Sequence, residues 1–199
     1  MATIGVSKPY YGIYSNTGSA VSYSSGGVMG KLTEINIEIS DTGDNNLYAD
    51  NAIAESERLF AGGTLTLKPD ELEQAISKAL LGVKESALET LEGISDTSVK
   101  ELIYDDDQVT PNVGVGFIIK KQVNGALRWR AVVLTKVMFS IPADAATTQG
   151  ESIEWQVPEL SATIQRDDSE KHSWKKEATF TTETQAETYI KKRLNISAV

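Results

Sequence analysis

The sequence predicts a mostly β protein, α+β by content, built on an antiparallel β-sandwich or barrel with one flanking α-helix and a short helix near its C-terminal end. Three observations carry that prediction. Asn124-Gly125 stands between two long runs of alternating apolar residues, the pattern of a hairpin closed by a type I′ turn. Ile35, Ile37 and Ile39 alternate with Glu34, Asn36, Glu38 and Ser40, the period of a half-buried strand. Only 72–80 carries a clear helical spacing, with Leu72, Ala75, Ile76, Ala79 and Leu80 at intervals of three and four.

Residues 1–30 are rich in Gly, Ser, Tyr and Asn, with too few aliphatic side chains for a core face, and read as an N-terminal arm. The alternating strand from Lys31 runs into a polar turn at 41–46, and 40–62 then reads as a protruding loop or hairpin with little aliphatic content. Thr64–Lys68 is a short strand. Pro69, Asp70 and Glu71 would form the first turn of the helix that follows, and Gly82 its cap. Segment 84–107 holds eight acids and two lysines, a net charge of −6, and reads as a mobile excursion. The strands of the Asn-Gly hairpin cover Val113–Ile119 and Leu127–Phe139. Further strands are expected around Ile153, Trp155 and Val157, at Leu160–Ile164, and from Trp174 to Phe180. Thr184 and Glu187 have the spacing of a capping box ahead of Ala186, Ile190 and Leu194. The division that results is a β domain over 1–182 and a C-terminal helical extension over 183–199.

With 199 residues, 40% of them apolar and 24% charged, the chain has the composition of a globular domain with one core. Its net charge of −9 disfavours gripping a polyanion or an anionic membrane. The absence of cysteine excludes disulfides, thiolate metal sites and thiol nucleophiles. No cationic start followed by an apolar run begins the chain, and no apolar stretch approaches a membrane span, so a soluble protein without a membrane anchor is expected.

Catalytic motifs are scarce. Gly114 and Gly116 form a lone G-x-G inside a strand pattern with no following helix, so no phosphate cradle is expected. His172 is the single histidine, which excludes a two-histidine metal site, and no serine lies in a G-x-S-x-G elbow. Asp105, Asp106 and Asp107 lack the spacing of a calcium loop and read as a solvated loop. The residues therefore point to a protein that is not an enzyme, with no cofactor and no metal. The basic stretch Lys171, Lys175, Lys176, Lys191, Lys192 and Arg193 is a weak nucleic-acid signal. Segments of opposite sign in one chain suggest complementary contacts between copies.

Several stretches, in order, resemble the phi13-type major tail proteins that form the tail tube of long-tailed bacteriophages. They are Ile4-Gly5-Val6 with Lys8-Pro9-Tyr10-Tyr11, Leu47-Tyr48-Ala49-Asp50-Asn51, Gly63–Leu67 leading to Ala79–Gly82, Val113–Phe117, Lys136–Pro142, Gly150–Ile153 and His172-Ser173-Trp174. The resemblance spans residues 4 to about 178 and leaves 84–108 and 183–199 unmatched. It implies a tail-tube fold whose copies form hexameric rings, with inner strands joined into a continuous barrel and rings stacked into a conduit for DNA. The expected setting is the virion, after assembly in the bacterial host cytoplasm. The expected partners are further copies of the chain and other tail proteins, such as the tape measure and the tail terminator, with genomic DNA passing through unbound. Under that resemblance Tyr10, Tyr11, Leu47, Tyr48, Asp50, Asn51 and Phe60 are candidate self-assembly residues, aromatic residues being common at interfaces. Glu34, Glu38 and Glu154 are candidates for a lumen wall, with 84–107 expected on the exterior or an open rim. A β-sandwich that binds carbohydrate or another ligand is the alternative reading.

Overall fold

The computed structural model of the chain describes residues 2–18, 20–87, 98–148 and 155–197. Its elements in order are β1 (Ala2–Asn16), β2 (Val21–Val28), β3 (Leu32–Asp41), β4 (Asn45–Ala49), β5 (Ala52–Glu57), β6 (Phe60–Pro69), α1 (Gln74–Leu81), β7 (Lys84–Ala87), β8 (Lys100–Ile103), β9 (Asn112–Val123), β10 (Ala126–Phe139), β11 (Leu160–Gln165), β12 (Lys175–Phe180) and α2 (Glu183–Arg193). The protein is mostly β, and all strand pairings among the described residues are antiparallel. One sheet runs β2-β1-β9-β10-β11-β6-β3, with β12 also on β10, while β4-β5 and β7-β8 are separate hairpins.

The hairpin expected at Asn124-Gly125 is the spine of the fold. Ala126 pairs with Val123, and the two turn residues take φ of 49° and 79°, the left-handed pair that a type I′ turn requires. Between Leu134 and Val137 the register slips by one residue, and there β10 changes partner: Leu134 faces Lys175 of β12, whereas Lys136 faces Gln165 of β11. This bulge turns one sheet into two layers. Thr135 fixes the fork, its N–H donating to Trp174 O at 3.1 Å and its hydroxyl to Ser173 O at 2.6 Å.

Beyond the fork the β11-β6-β3 branch folds over β9 and β10, and β3 comes back against β1. The inner faces enclose Leu65, Leu67, Val113, Val115, Phe117, Val132, Leu134 and Ile164, with Ile76, Leu80 and Leu81 of α1 closing the side. Gly82 ends α1 in the left-handed conformation, as the sequence predicts. The other face of β9 and β10 carries Ile118, Ala131 and Val133, and α2 covers it with Ala186, Ile190 and Leu194.

Several expectations are corrected. Residues 1–30 are no arm: β1 pairs with both β9 and β2, and its inward positions are filled by Tyr10, Tyr11, Val6 and Ile13. Tyr10 and Tyr11, with Val6 and Ile13, supply a core face despite the scarcity of aliphatic residues. Residues 183–197 are not an appendage, because α2 is the second layer of the core. Its cap is Thr182, whose side chain accepts from Gln185 N, two residues before the expected Thr184. Helix α1 starts at Gln74, because Pro69 ends β6 and the Asp70 carboxylate instead accepts from Lys31 N at 2.8 Å. Residues 155–159 form no strand, consistent with Pro158 lacking an N–H donor, and Trp155 is 88% exposed; Ile153 lies outside the described residues. The mobile excursion expected over 84–107 falls largely on residues 88–97, outside the described residues; on either side of them β7 pairs with β8, with ion pairs from Lys84 to Asp105 and from Lys100 to Glu85.

Candidate assembly surface

Strands β3 and β6 run on past their neighbours to a last pair, Asp41 with Phe60. There Thr42 N donates to Leu59 O at 2.9 Å and Leu59 N to Thr42 Oγ1 at 3.1 Å, closing a neck. Arg58 bridges Asp41 and Asp44 across it. Beyond the neck β4 and β5 pair only with each other, and Asp50 and Asn51 form the turn with φ of 51° and 63°. Leu47, Tyr48 and Ile53 are 60%, 65% and 55% exposed on this hairpin. Four expected residues, Leu47, Tyr48, Asp50 and Asn51, thus come together on one projection. Ile53, which the sequence reasoning left out, joins them because it sits opposite Tyr48 in the register.

The other three expected assembly residues lie elsewhere. Tyr10 is 3% exposed, and its hydroxyl donates to Glu187 Oε1 at 2.6 Å, so it belongs to the core beneath α2 and cannot meet another copy in the folded chain. Tyr11 is half-buried against the inner core. Phe60 stacks on Trp174 with ring centres 4.6 Å apart and planes 5° off parallel, while Arg166 lies over its ring and donates to its carbonyl. Phe60 therefore roots the hairpin to the β11–β12 loop. Glu187 gathers Lys8, Tyr10 and Lys191, whose hydrogen bonds, that from Lys8 foremost, hold its carboxyl down at about 2.

Glu34 and Glu38 lie on the outer face of β3, the edge strand of the sheet, opposite the inward Ile35 and Ile37. Glu34 pairs with Lys68 at 2.9 Å, whereas Glu38 accepts from Asn36 Nδ2 at 3.0 Å and has no cationic partner among the described residues. Glu154 lies outside those residues.

Within the basic C-terminal stretch, Lys175 pairs with Glu177 at 2.7 Å and Lys191 with Glu187 at 2.9 Å. Lys176, Lys192 and Arg193 have no carboxylate partner among the described residues, and they line one cleft with Tyr23, Asp167 and Asn195. This clustering was hidden in the sequence, where Lys176 and Lys192 stand far apart. His172 occupies a turn, with Nδ1 3.2 Å from Asp167 O. Among the described residues no group of three His, Asp or Glu side chains is placed to hold a metal ion, and no helix is long and apolar enough to cross a membrane. No protein-family model and no curated protein matches the chain.

Proposed function

We propose that this chain is a self-assembling structural subunit of the phage tail-tube type, forming stacked hexameric rings that conduct DNA, with other tail proteins capping and measuring the tube. The observation that carries the reading is the β4-β5 hairpin, a separate two-stranded sheet that leaves Leu47, Tyr48 and Ile53 more than half exposed. Apolar side chains clustered on an exposed projection mark a contact surface. Two edge strands, β2 and β3, offer further unpaired backbone for joining copies edge to edge. The outward Glu38 and the net charge of −9 suit a wall along which a polyanion slides without sticking. A ligand-binding module is the second reading. Trp155, 88% exposed beside a cleft lined by Ile141, Pro142, Gln156 and Val157, is the observation in its favour.

The test is a deletion read from the neck. Thr42 and Leu59 are already hydrogen-bonded neighbours, so replacing 43–58 by a short Gly-containing turn leaves β3 and β6 in register. Negative-stain microscopy should show rings or tubes for the wild type. The deleted chain should remain a folded monomer. Tubes unchanged by the deletion, or a wild type that stays monomeric at every concentration and salt, would overturn the reading.

A further inference from the structure

A cleft opens beside the end of α2. It holds about 420 Å³, room for the few side chains of a turn, and it is walled by Lys176 of β12 and by Lys192 and Arg193 at the last turn of the helix. Three cations crowd this opening in a chain whose net charge is −9, and among the described residues none of them has a carboxylate partner. A second, independent feature lies in the same cleft. Asp167 is 2% exposed; its Oδ1 accepts from Ser169, while Oδ2 is buried with no donor among the described residues. A buried carboxylate oxygen left unpaired is costly. The site therefore asks for a partner that brings both carboxylates and N–H donors.

The β4-β5 hairpin has that chemistry. Arg58 occupies Asp41 and Asp44, which leaves Asp50, Glu55 and Glu57 with no cation among the described residues. The turn adds the Asn51 side-chain amide as a donor. Within one chain β4 and β5 pack chiefly on each other and not on α2 or β12, and no ion pair among the described residues joins the two halves. We propose that the acidic hairpin of one copy seats in the cation-lined cleft of the next, with Asp50, Glu55 and Glu57 facing Lys176, Lys192 and Arg193, and a donor of the turn reaching Asp167. This rests on the assembly reading above and names its partner surface. Different patches meet, so the contact is head-to-tail and propagates, closing into a ring or continuing as a filament according to its rotation.

Charge reversal tests it. One variant carries Lys176→Glu, Lys192→Glu and Arg193→Glu; the other carries Asp50→Lys, Glu55→Lys and Glu57→Lys. Each alone repels its own kind and should raise the critical concentration for assembly by about tenfold or more. An equimolar mixture should assemble again, because the reversed hairpin meets the reversed cleft and the two native halves still meet. A chain bearing all six changes should also assemble. Circular dichroism melting of each variant as a monomer establishes that it folds, and Lys176→Gln with Lys192→Gln supplies a milder cleft variant whose assembly should weaken in the same direction. Reversed-cleft chains that fold and still assemble like the wild type would overturn this pairing while leaving the assembly reading intact. Folded variants that fail alone and also fail when mixed would likewise overturn it. A wild type that never assembles would remove both.

Discussion

Gly116→Ala is the sharpest probe of how α2 is seated. A Cβ at Gly116 would lie well inside 3.0 Å of Ile190 Cγ2 and 3.2 Å from Leu194 Cδ1, where ordinary carbon contacts begin near 3.5 Å. Neither neighbour is a flexible tip, since Ile190 and Leu194 are both 0% exposed and locked between helix and sheet. The helix must therefore lift or the strand must bend, and overpacking of this kind costs about 1–3 kcal/mol. For a chain of this size that corresponds to a fall of roughly 2–12 °C in Tm, at about 2–4 °C per kcal/mol. The assay is thermal melting by circular dichroism at one fixed protein concentration, because association would itself shift Tm by mass action. Ile190→Ala supplies the control. Alone it empties a core position at a cost of about 2–5 kcal/mol, but with Gly116→Ala it removes the clashing methyl, so the double variant should be more stable than the sum of the singles by about 0.5–3 kcal/mol. A Gly116→Ala protein that melts within a degree of the wild type would refute the reasoning, as would strict additivity of the pair.

Gly125→Val should destabilise by a different route. Nothing lies within 4 Å of a Cβ there, but φ is +79°, so the loss of about 1–2 kcal/mol comes from the backbone alone, and Gly125→Asn should lose less in the same melting assay. The Glu187 carboxyl, held down at about 2 from its ordinary 4.5, gives stability that is fully present above pH 4.5 and is lost as pH falls toward 2. A pH series of melting curves should therefore fall less steeply across that window for Glu187→Gln, which should also melt lower than the wild type at pH 7.

The parts of the fold legible in the sequence are those decided locally. Asn124-Gly125 closes its hairpin through turn chemistry alone, and Ile35 and Ile37 reach the core because alternation is a property of the strand itself, whereas Ile39, on the same face near the end of the strand, is 44% exposed. What could not be read depends on residues far away in the chain. Tyr10 looks like any interface tyrosine until Glu187, 177 residues later, receives its hydroxyl. Thr182-x-x-Gln185 and Thr184-x-x-Glu187 are equivalent as capping patterns, and tertiary contacts decide between them by using Glu187 to bind Lys8, Tyr10 and Lys191. The G-x-G at 114 and 116 did carry a signal, though of another kind: small residues at period two on one face of a strand mark where a helix presses close. Of the candidate assembly surface, a protruding hairpin within 40–62 was legible, but its turn was not: the sequence places a turn at 41–46, whereas the chain reverses at Asp50-Asn51. The gathering of Lys176 with Lys192 and Arg193 was not legible either, because it is made by α2 crossing the end of β12.

The hairpin's own energetics point the same way as its surface. An isolated two-stranded ribbon is marginal in water, and β4-β5 has no third strand or helix to pack on. Leaving Leu47, Tyr48 and Ile53 exposed forgoes the burial gain of roughly 1.5–3 kcal/mol that each large apolar side chain can make. The ion pairs of Arg58 at the neck contribute only about 0–1 kcal/mol each at the surface. The ordering cost of 43–58 is thus not recovered within one chain, and in the proposed assembly it is recovered when the projection is covered. This separates the sequence into two sets of positions. Gly116 and Ile190 lie between sheet and helix and govern whether the body melts. Under the proposed assembly Leu47, Tyr48, Asp50, Glu55 and Glu57 govern association and should leave the melting of the monomer nearly unchanged, so hairpin substitutions that lowered monomer Tm as far as Gly116→Ala does would contradict the separation.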